Sequence, residues 1–219
     1  MNVINKLLRP LGVRIVREKN RPLPKAGIDP LERNKKATLD QLWGDAAFKD
    51  KYEQEHRPLY DSLSAIIASR KLLEGAQSLI DVGCGPGNFL GRLDRTGFTG
   101  ALSGCDFSES AIAAAAQQCP RAALFTHDIY QPLKARYEVL TCMETLEHLL
   151  QPGQALQNLL AASRVCIITV PEGRKDSFRG HINFWSLESW EVFCREAAGK
   201  RKLTVQEFNE AKNLVAIFE

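Results

Sequence analysis

The sequence predicts a doubly wound α/β fold: a mostly parallel seven-stranded sheet with an antiparallel last strand and helices on both faces. Three observations predict it. Five short apolar runs alternate with helix-like segments, which is typical of parallel strands buried on both faces. A glycine-rich turn lies between the first of these runs and the helix after it. The chain ends in two further strand-like runs joined by a short turn, and such runs pair antiparallel.

The elements follow in a clear order. From Leu39 to Leu73 the pattern is helical, with a break expected near Pro58 because proline disrupts a helix interior. The seven strand-like runs are SLIDVGC (78–84), ALSGCDF (101–107), AALFTHDI (122–129), YEVLTCM (137–143), RVCIITV (164–170), KLTVQEFNEA (202–211) and NLVAIFE (213–219).

Two helices between these runs have readable ends. The segment 108–119 is the clearest helix, with Ser108 as its N-cap and Glu109 in its first turn. A second helix is predicted to begin at Ser186 and to end near Gly199.

The first part of the chain differs in charge from the rest. Residues 1–36 hold ten lysines and arginines against three acidic residues, and because the whole chain has a net charge of +3, the remainder is acidic. Residues 20–30 contain three prolines and a glycine, which is typical of a linker. We therefore predict a basic arm and linker over residues 1–37 and one domain over 38–219. Such an arm is commonly solvated, and otherwise offers contact with phosphate, an acidic partner or, peripherally, an anionic membrane surface.

The cysteines and the N-terminus indicate a cytoplasmic protein. The six cysteines are widely spaced, without a C-x-x-C pair or a Cys/His cluster, as expected for reduced thiols. Lys6, Arg9, Pro10 and Arg14 interrupt the apolar residues at the start, so the unbroken run of a signal peptide or a membrane span is missing. The sequence specifies no oligomeric state.

The stretch DVGCGPGNFL (81–90) joins the first strand to a helix at the sheet edge where such folds bind ligands. Gly83, Gly85 and Gly87 allow a tight turn and a close approach of the backbone. The pattern G-x-G-x-G after an acid is neither the G-x-G-x-x-G of a dinucleotide loop nor a P-loop. The negative charge of Asp81 would repel a pyrophosphate and would favour a ligand with a cationic end.

Two further acids end the next two strands. Asp106 is placed to accept both hydroxyls of a ribose, and Asp128 to accept from the exocyclic amine of a base. Three acids at successive strand ends describe a neutral or cationic nucleoside, and S-adenosylmethionine fits better than NAD. Each residue alone has a plainer explanation, because glycine turns also serve packing and aspartates also cap helices.

These segments resemble the motifs of class I S-adenosylmethionine-dependent methyltransferases, a Rossmann-like family, over residues 40–219. LIDVGCGPGNFL resembles the first motif, GCDFSESAI the second and THDIY the third. The resemblance implies that residues 83–87 hold the methionine moiety, Asp106 the ribose, and Asp128 with Ile129 the adenine. The full set of predicted cofactor-binding residues is Asp81, Gly83, Cys84, Gly85, Gly87, Asp106, Phe107, Asp128, Ile129 and Met143. The chain lacks the Gly-Gly turn that many members have before the fifth strand.

METLEHL (143–149) ends the fourth strand, which the acceptor faces in this fold. Methyl transfer is an in-line displacement, so alignment of donor and acceptor in a dry pocket is the main requirement. A base also assists transfer to an oxygen acceptor, because the hydroxyl must lose its proton. His148 is the candidate base, and Glu144 or Glu147 would orient it or the substrate. The plain alternative is a polar start of a helix.

The same stretch has the composition of a metal site. Glu144, Glu147 and His148 would share one face of a helical turn, and His181 follows the fifth strand in FRGHINFW. Two carboxylates and two imidazoles suit a divalent ion that activates a hydroxyl. CMETLEHL is similar to the matching segment of the O-methyltransferases of ubiquinone biosynthesis. The Glu-x-x-Glu-His and distant His set is similar to small-RNA 3′-terminal 2′-O-methyltransferases, where these residues carry a metal. Leu-Glu-His is also common in members without a known metal, so a divalent metal is not the favoured expectation.

The sequence thus predicts a methyltransferase that uses S-adenosylmethionine and acts on an oxygen of a small molecule, such as a phenol, a sugar or a lipid-linked intermediate. One alternative is a metal-dependent RNA 2′-hydroxyl methyltransferase. The acidic body without a basic stripe counts against a nucleic-acid partner. The other alternative is a non-catalytic binding protein with the same fold.

Overall fold

The computed structural model describes residues 30–178, 180–208 and 210–219. One sheet contains seven strands, which are β1 Ser78–Val82, β2 Ala101–Asp106, β3 Ala123–Thr126, β4 Tyr137–Met143, β5 Ser163–Pro171, β6 Leu203–Phe208 and β7 Asn213–Phe218. Their order in the sheet is β3-β2-β1-β4-β5-β7-β6. Strands β1 to β5 pair in parallel, and β7 is antiparallel to both of its neighbours. The predicted doubly wound, Rossmann-like sheet with an antiparallel last strand is confirmed.

Helices cover both faces of this sheet. The helices of the described residues are α1 Pro30–Arg33, α2 Lys36–Gly44, α3 Ala46–Ser69, α4 Asn88–Arg95, α5 Glu109–Gln118, α6 Pro152–Ala161 and α7 Leu187–Ala198, with a 3₁₀ turn at Leu146–His148. One core cluster joins α3, α4 and α5 to the sheet, and the other joins α6 and α7 to the opposite face. Leu79 of β1 lies in the first cluster and Ile80 in the second, because successive strand side chains point to opposite faces. Both faces are buried, which explains the near-continuous apolar runs.

The two predicted helix starts are confirmed. The Ser108 hydroxyl accepts a hydrogen bond from the Ala111 amide at 3.1 Å and caps α5. Ser186 caps α7 through the Ser189 amide, and α7 ends at Gly199, which has a φ of +58°. These caps satisfy backbone groups that the helix itself leaves unpaired.

The expected break near Pro58 is wrong. Helix α3 runs through Pro58 without interruption and begins after Asp45, whose carboxylate accepts from the Phe48 amide at 2.9 Å. A proline inside a helix costs about 3 kcal/mol. Leu59 and Leu63 are almost completely buried on the following turns, and each such burial contributes about 1.5–3 kcal/mol. Burial of the helix face therefore outweighs the lost backbone hydrogen bond.

Most of the predicted basic arm, residues 1–29, lies outside the described residues. The predicted boundary at residue 37 falls inside α2 and stays a prediction. Among the helices of the described segments, none has the length and apolar character needed to span a bilayer. All six cysteines are buried and carry free thiols.

Candidate active site

The turn after β1 is a tight glycine loop. Gly83, Gly85 and Gly87 have φ values of +72°, +52° and +81°, which side chains of other residues rarely tolerate. A Cβ atom on Gly87 would lie 2.8 Å from Cα of Ala115 in α5, and one on Gly83 would lie 2.4 Å from Oγ1 of Thr145. The loop therefore fits closely between α5 and the chain after β4, at the point where the strand order reverses.

Asp81 in β1 is a completely buried carboxylate. Its Oδ1 accepts from the Thr141 hydroxyl at 2.7 Å, and its Oδ2 has no hydrogen-bond partner within the described part of the chain. Burial raises the pKa of Asp81 to about 7. A proton, a hydrogen-bond donor or a positive charge beside it would satisfy the second oxygen, and the predicted contact of Asp81 with a cationic ligand stays a prediction.

Asp106, at the end of β2, ties the glycine loop to α5. Its Oδ2 accepts from the Gly85 amide and its Oδ1 from the Ser108 amide, both at 2.9 Å. Burial raises its pKa. The next residue, Phe107, has an aromatic side chain that is 44% exposed. The structure thus brings the glycine loop, Asp106 and Phe107 to one sheet edge.

The other predicted cofactor residues lie around this edge. Strand β3 ends at Thr126, two residues before Asp128, whose Oδ1 accepts from the Tyr130 amide at 3.0 Å. Cys84 and Met143 are buried, and Ile129 is partly buried against the second core cluster. The roles assigned to these residues stay predictions.

Sequence reasoning missed an aromatic wall over the loop. A Cβ built at Gly85 would lie 3.5 Å from the Trp43 indole, and the Trp43 and Tyr52 rings meet edge to face at 4.9 Å. Burial raises the pKa of Tyr52, and the charges of Glu144 and Glu147 add to this, so the phenol lies near both acids. Aromatic residues at every fourth position of α3, Phe48, Tyr52, His56 and Tyr60, were the available signal.

Glu144 turns the chain sharply at the end of β4. Its φ is +48°, a left-handed conformation that costs energy for a residue with a side chain. Its amide donates to the Thr169 carbonyl and its carboxylate accepts from the Thr169 hydroxyl, both at 3.1 Å. Burial raises the pKa of Glu144 to about 8. The side chain is thereby held beside Glu147.

Glu147 is a completely buried carboxylate, and neither of its oxygens has a hydrogen-bond partner in the described segments. Burial, followed by the nearby charge of Glu144, raises its pKa well above the ordinary value. An ionised carboxylate in such a place costs several kcal/mol unless a cation or hydrogen bonds compensate it. Glu147 therefore requires either a proton or a bound positive charge.

Two imidazoles face this carboxylate. Nε2 of His148 lies 3.9 Å and Nε2 of His181 3.8 Å from Oε1 of Glu147. Nδ1 of His148 points at the Gly180 carbonyl at 3.2 Å, and Nδ1 of His181 at Oδ2 of Asp176 at 2.6 Å. Nδ1 of each ring therefore donates to its acceptor, and Nε2 of each ring lies on the side of Glu147. Burial lowers the pKa of His148 to about 4, so its ring is neutral near pH 7.

We call Glu147, His148 and His181 the Glu/His cluster. Each offers one ligand atom, and the three atoms lie within 4.8 Å of one another. Ligands about 2.1 Å from one ion lie at most about 4.2 Å apart, so the spacing is close to what a divalent ion needs. A carboxylate and two imidazoles with fixed tautomers form a suitable donor set. Glu144 lies beside this group but outside it.

Hydrogen bonds fasten the loop after β5 onto the 3₁₀ turn. The Ile182 and Asn183 amides donate to the Glu147 carbonyl at 2.9 and 3.0 Å. The Asn34 side-chain amide donates to the His148 and Gly180 carbonyls, both at 3.1 Å. Sequence reasoning missed Asn34, Asn183 and also Asp176, because no local sequence pattern links these loop residues to the Glu/His cluster.

A cavity of about 470 Å³ opens beside the cluster and is lined by Glu144, Asp176 and His181 among others. Its size suits a small molecule or one unit of a larger one. The structure thus places the glycine loop and its acids at the ends of β1 and β2, and the Glu/His cluster and the cavity at the ends of β4 and β5.

A family model described as a methyltransferase domain matches residues 48–201. No curated protein matches the chain. Among solved structures, the methyltransferase domain of bacterial CtHen1 is 21% identical with a TM-score of 0.62, over 75% of this chain and 98% of that one. Magnesium protoporphyrin IX methyltransferase from Synechocystis PCC 6803, with bound SAM, is 16% identical with a TM-score of 0.63, over 89% and 97%. The plantazolicin methyltransferase BpumL, in complex with SAH, is also 16% identical with a TM-score of 0.63, over 87% and 97%. At these identities the likeness shows the fold.

Proposed function

The chain belongs to the methyltransferase domain family, whose model matches well over half of its length, and from this we propose that it methylates an oxygen of a small molecule with S-adenosylmethionine as the donor. A phenol, a sugar or a lipid-linked intermediate is the expected acceptor. The observation that carries the choice of oxygen is the Glu/His cluster. The cluster lies beside a cavity at the ends of β4 and β5, which is the side of the sheet edge where we place the methyl acceptor.

The cofactor follows from the family and from the shape of the first pocket. Two similar structures contain S-adenosylmethionine (SAM) or S-adenosylhomocysteine (SAH), the product that remains after methyl transfer. The glycine loop forms a cradle that side chains would fill, and Oδ2 of Asp81 has no hydrogen-bond partner among the described residues. Asp106 would hold the ribose of the cofactor, and Phe107 would lie on the side of its adenine base. Because Gly83 lies against Thr145, just after β4, a donor held by the glycine loop would lie next to the residues at the end of β4.

Oxygen is favoured over nitrogen because a hydroxyl needs activation that a neutral amine does not. Glu147, His148 and His181 would hold a divalent cation, which when bound polarises an acceptor hydroxyl and lowers its pKa. Asp176 and the Gly180 carbonyl fix both imidazoles in the tautomer that ligation requires. A histidine with a pKa of about 4 is a weak base for an alcohol, so ligation suits His148 better than the predicted role as base. Glu144 remains a candidate to orient the acceptor.

The test begins with binding and continues with turnover. Calorimetric titration of the full chain with SAH should show saturable binding. Incubation with S-adenosylmethionine, Mn²⁺ and a fractionated metabolite extract should release SAH and yield a methyl ether detectable by mass spectrometry. His181→Ala should reduce turnover at least tenfold while SAH affinity stays unchanged. Absence of SAH binding would end the proposal.

A second candidate is a metal-dependent RNA 2′-hydroxyl methyltransferase, which is supported by the sequence similarity of the Glu-x-x-Glu-His segment (144–148) and His181 to the small-RNA 3′-terminal enzymes. Two forms of one short RNA separate the candidates, one with a free 3′-terminal diol and one oxidised with periodate. Methyl transfer only to the intact RNA would replace the small-molecule proposal. Firm SAH binding without transfer to any acceptor would point to a binding protein instead.

A further inference from the structure

Three positively charged side chains from separate parts of the chain line the cavity beside the Glu/His cluster. Arg33 comes from α1, Lys175 from the loop after β5, and Lys212 from the turn between β6 and β7. Cations brought together from three elements indicate a site for negative charge when acids do not already compensate them.

The acids of the cavity have other partners. Asp176 holds His181 at 2.6 Å, Glu55 lies 3.7 Å from the Lys51 ammonium, and Glu144 accepts from Thr169 at 3.1 Å.

Of the cations, Lys175 pairs with Glu207. Across residues 30–178, 180–208 and 210–219, no ion pair involves Arg33 or Lys212. Within the described residues, Arg33 and Lys212 thus line the cavity without forming an ion pair with its acids.

Arg33 is fixed at the edge of the reacting centre. Its guanidinium carbon lies 5.6 Å from the centroid of the Phe178 ring, and that ring lies 4.7 Å from the His181 ring. Its Nε is shielded from solvent and has no hydrogen-bond acceptor in the described part of the chain. The neighbouring Asn34 anchors α1 to the carbonyls of His148 and Gly180. A shielded donor without an acceptor is costly, and a ligand oxygen would satisfy it.

Lys212 is fixed on the other side by its backbone. Its φ is +59°, and its carbonyl accepts from the Glu172 amide at 2.9 Å, which ties the turn to the end of β5. The exposed side chain is therefore presented from a defined point on the cavity rim.

We propose that the acceptor carries an anionic group, a phosphate or a carboxylate, close to the hydroxyl that receives the methyl group, and that Arg33 and Lys212 bind this group. The proposal rests on the proposed function and narrows its substrate class. A guanidinium binds both anions through paired N–H donors, and an ammonium adds a point charge. Two such contacts also orient the hydroxyl toward the cluster.

Matched ligands test the proposal by calorimetry on the full chain. Glycerol 3-phosphate, glycerate and glycerol share a hydroxylated carbon chain and differ in the anion. EDTA in the buffer keeps adventitious cations away from the Glu/His cluster. At least one anionic ligand should bind ten times more tightly than glycerol, and the two anionic arms separate phosphate from carboxylate recognition.

Variants assign the binding to the two residues. Arg33→Gln and Lys212→Gln should each weaken the anionic ligand about tenfold. Lys200→Gln, at an exposed lysine outside the cavity, should bind it as the wild type does. Anionic ligands that bind no better than glycerol would overturn the proposal, and so would wild-type affinity in both glutamine variants.

SAH titrations of the same samples separate this proposal from the proposed function. Wild-type SAH affinity in Arg33→Gln and Lys212→Gln would show that both variants are folded. If SAH fails to bind the wild type, the proposed function falls. The preference for anions is still decided by its own titration, because the cavity exists in the chain without the cofactor.

Discussion

At the scale of single residues, Gly87 is strongly constrained by its surroundings. It needs a left-handed backbone, and Ala115 leaves no space for a side chain. We predict that Gly87→Ala lowers the free energy of unfolding by about 2–4 kcal/mol, from backbone strain and from overpacking against α5. It should also weaken SAH binding. Gly97→Ala is the control, because Gly97 has a φ of +83° with open space around its Cα, so only the strain is added. Equal losses in both variants, measured by urea unfolding, would contradict the close packing of the loop.

Buried carboxyls also make stability depend on pH. Burial raises the pKa of Asp81 to about 7 and that of Glu144 to about 8. The folded state then binds more protons than the unfolded state, so stability falls as pH rises from about 4 toward these values. His148 has the opposite effect, but only below its unfolded pKa of about 6.5, because its folded pKa is about 4.

We therefore predict that the free energy of unfolding of the ligand-free protein in EDTA falls by about 2 kcal/mol between pH 6.5 and 8.5. Asp81→Asn should remove part of this slope. Asp50→Asn, at an exposed aspartate, should leave it unchanged. The measurement is urea unfolding at several pH values. A stability that does not fall over this range would show that these carboxyls are already ionised in the folded protein.

At the scale of elements, helix α2 covers the glycine loop. The Asp40 carboxylate accepts from the Ser108 hydroxyl at 2.6 Å, and Lys36 lies 3.1 Å from Glu109, so α2 is attached to the start of α5. Trp43 at its end lies over Gly85. We predict that Trp43→Ala raises the dissociation constant of SAH about tenfold and its dissociation rate by a similar factor, since an aromatic contact with a bound ligand is lost.

Trp43→Phe is the matched variant, because it keeps a ring over the loop and should retain most of the affinity. Asp40→Ala should act like Trp43→Ala if the attachment of α2 matters, with the rates measured by stopped-flow fluorescence. Unchanged SAH kinetics in both alanine variants would show that α2 does not cover the cofactor.

The elements show what the sequence could predict. Apolar runs with both faces buried indicated the parallel sheet, and the G-x-G-x-G turn indicated the loop at its edge. The conformation of METLEHL (143–149) was harder to predict from the sequence. A regular helical turn would place Glu144, Glu147 and His148 on one face, but Glu144 is left-handed and the turn is 3₁₀, so Glu144 lies outside the Glu/His cluster. Asp176 was missed because its contact with His181 depends on the path of a loop, which local periodicity does not specify.

At the scale of the whole molecule, the reversal of strand order divides the candidate site into two halves. Strands β1 to β3 supply the glycine loop and its acids. The Glu/His cluster and much of the cavity come from the other half. This half consists of strands β4, β5 and β7 and the connections next to them. The halves meet where β1 pairs in parallel with β4, and near the site Thr145 approaches Gly83 and the Thr141 hydroxyl donates to Asp81. Asp106 and His181 share no hydrogen-bond or ion-pair partner among the described residues, so substitutions at these two positions should act separately.

This separation gives a prediction for two ligands and two variants. Asp106→Asn should weaken SAH binding at least tenfold and leave stabilisation by Mn²⁺ unchanged. His181→Ala should abolish stabilisation by Mn²⁺ and leave SAH affinity unchanged. A ligand at a hundred times its dissociation constant stabilises the folded state by about 2.7 kcal/mol, which a thermal unfolding curve resolves.

His127→Ala is the control for the metal, because His127 lies outside the Glu/His cluster and contacts the Gln131 carbonyl. It should keep the full response to Mn²⁺. If His181→Ala loses both responses while its unliganded unfolding temperature stays at the wild-type value, donor and acceptor groups form one coupled site. A loss confined to Mn²⁺ would instead mean that the cofactor pocket is complete without the Glu/His cluster, so that the acceptor half alone determines which molecule is methylated.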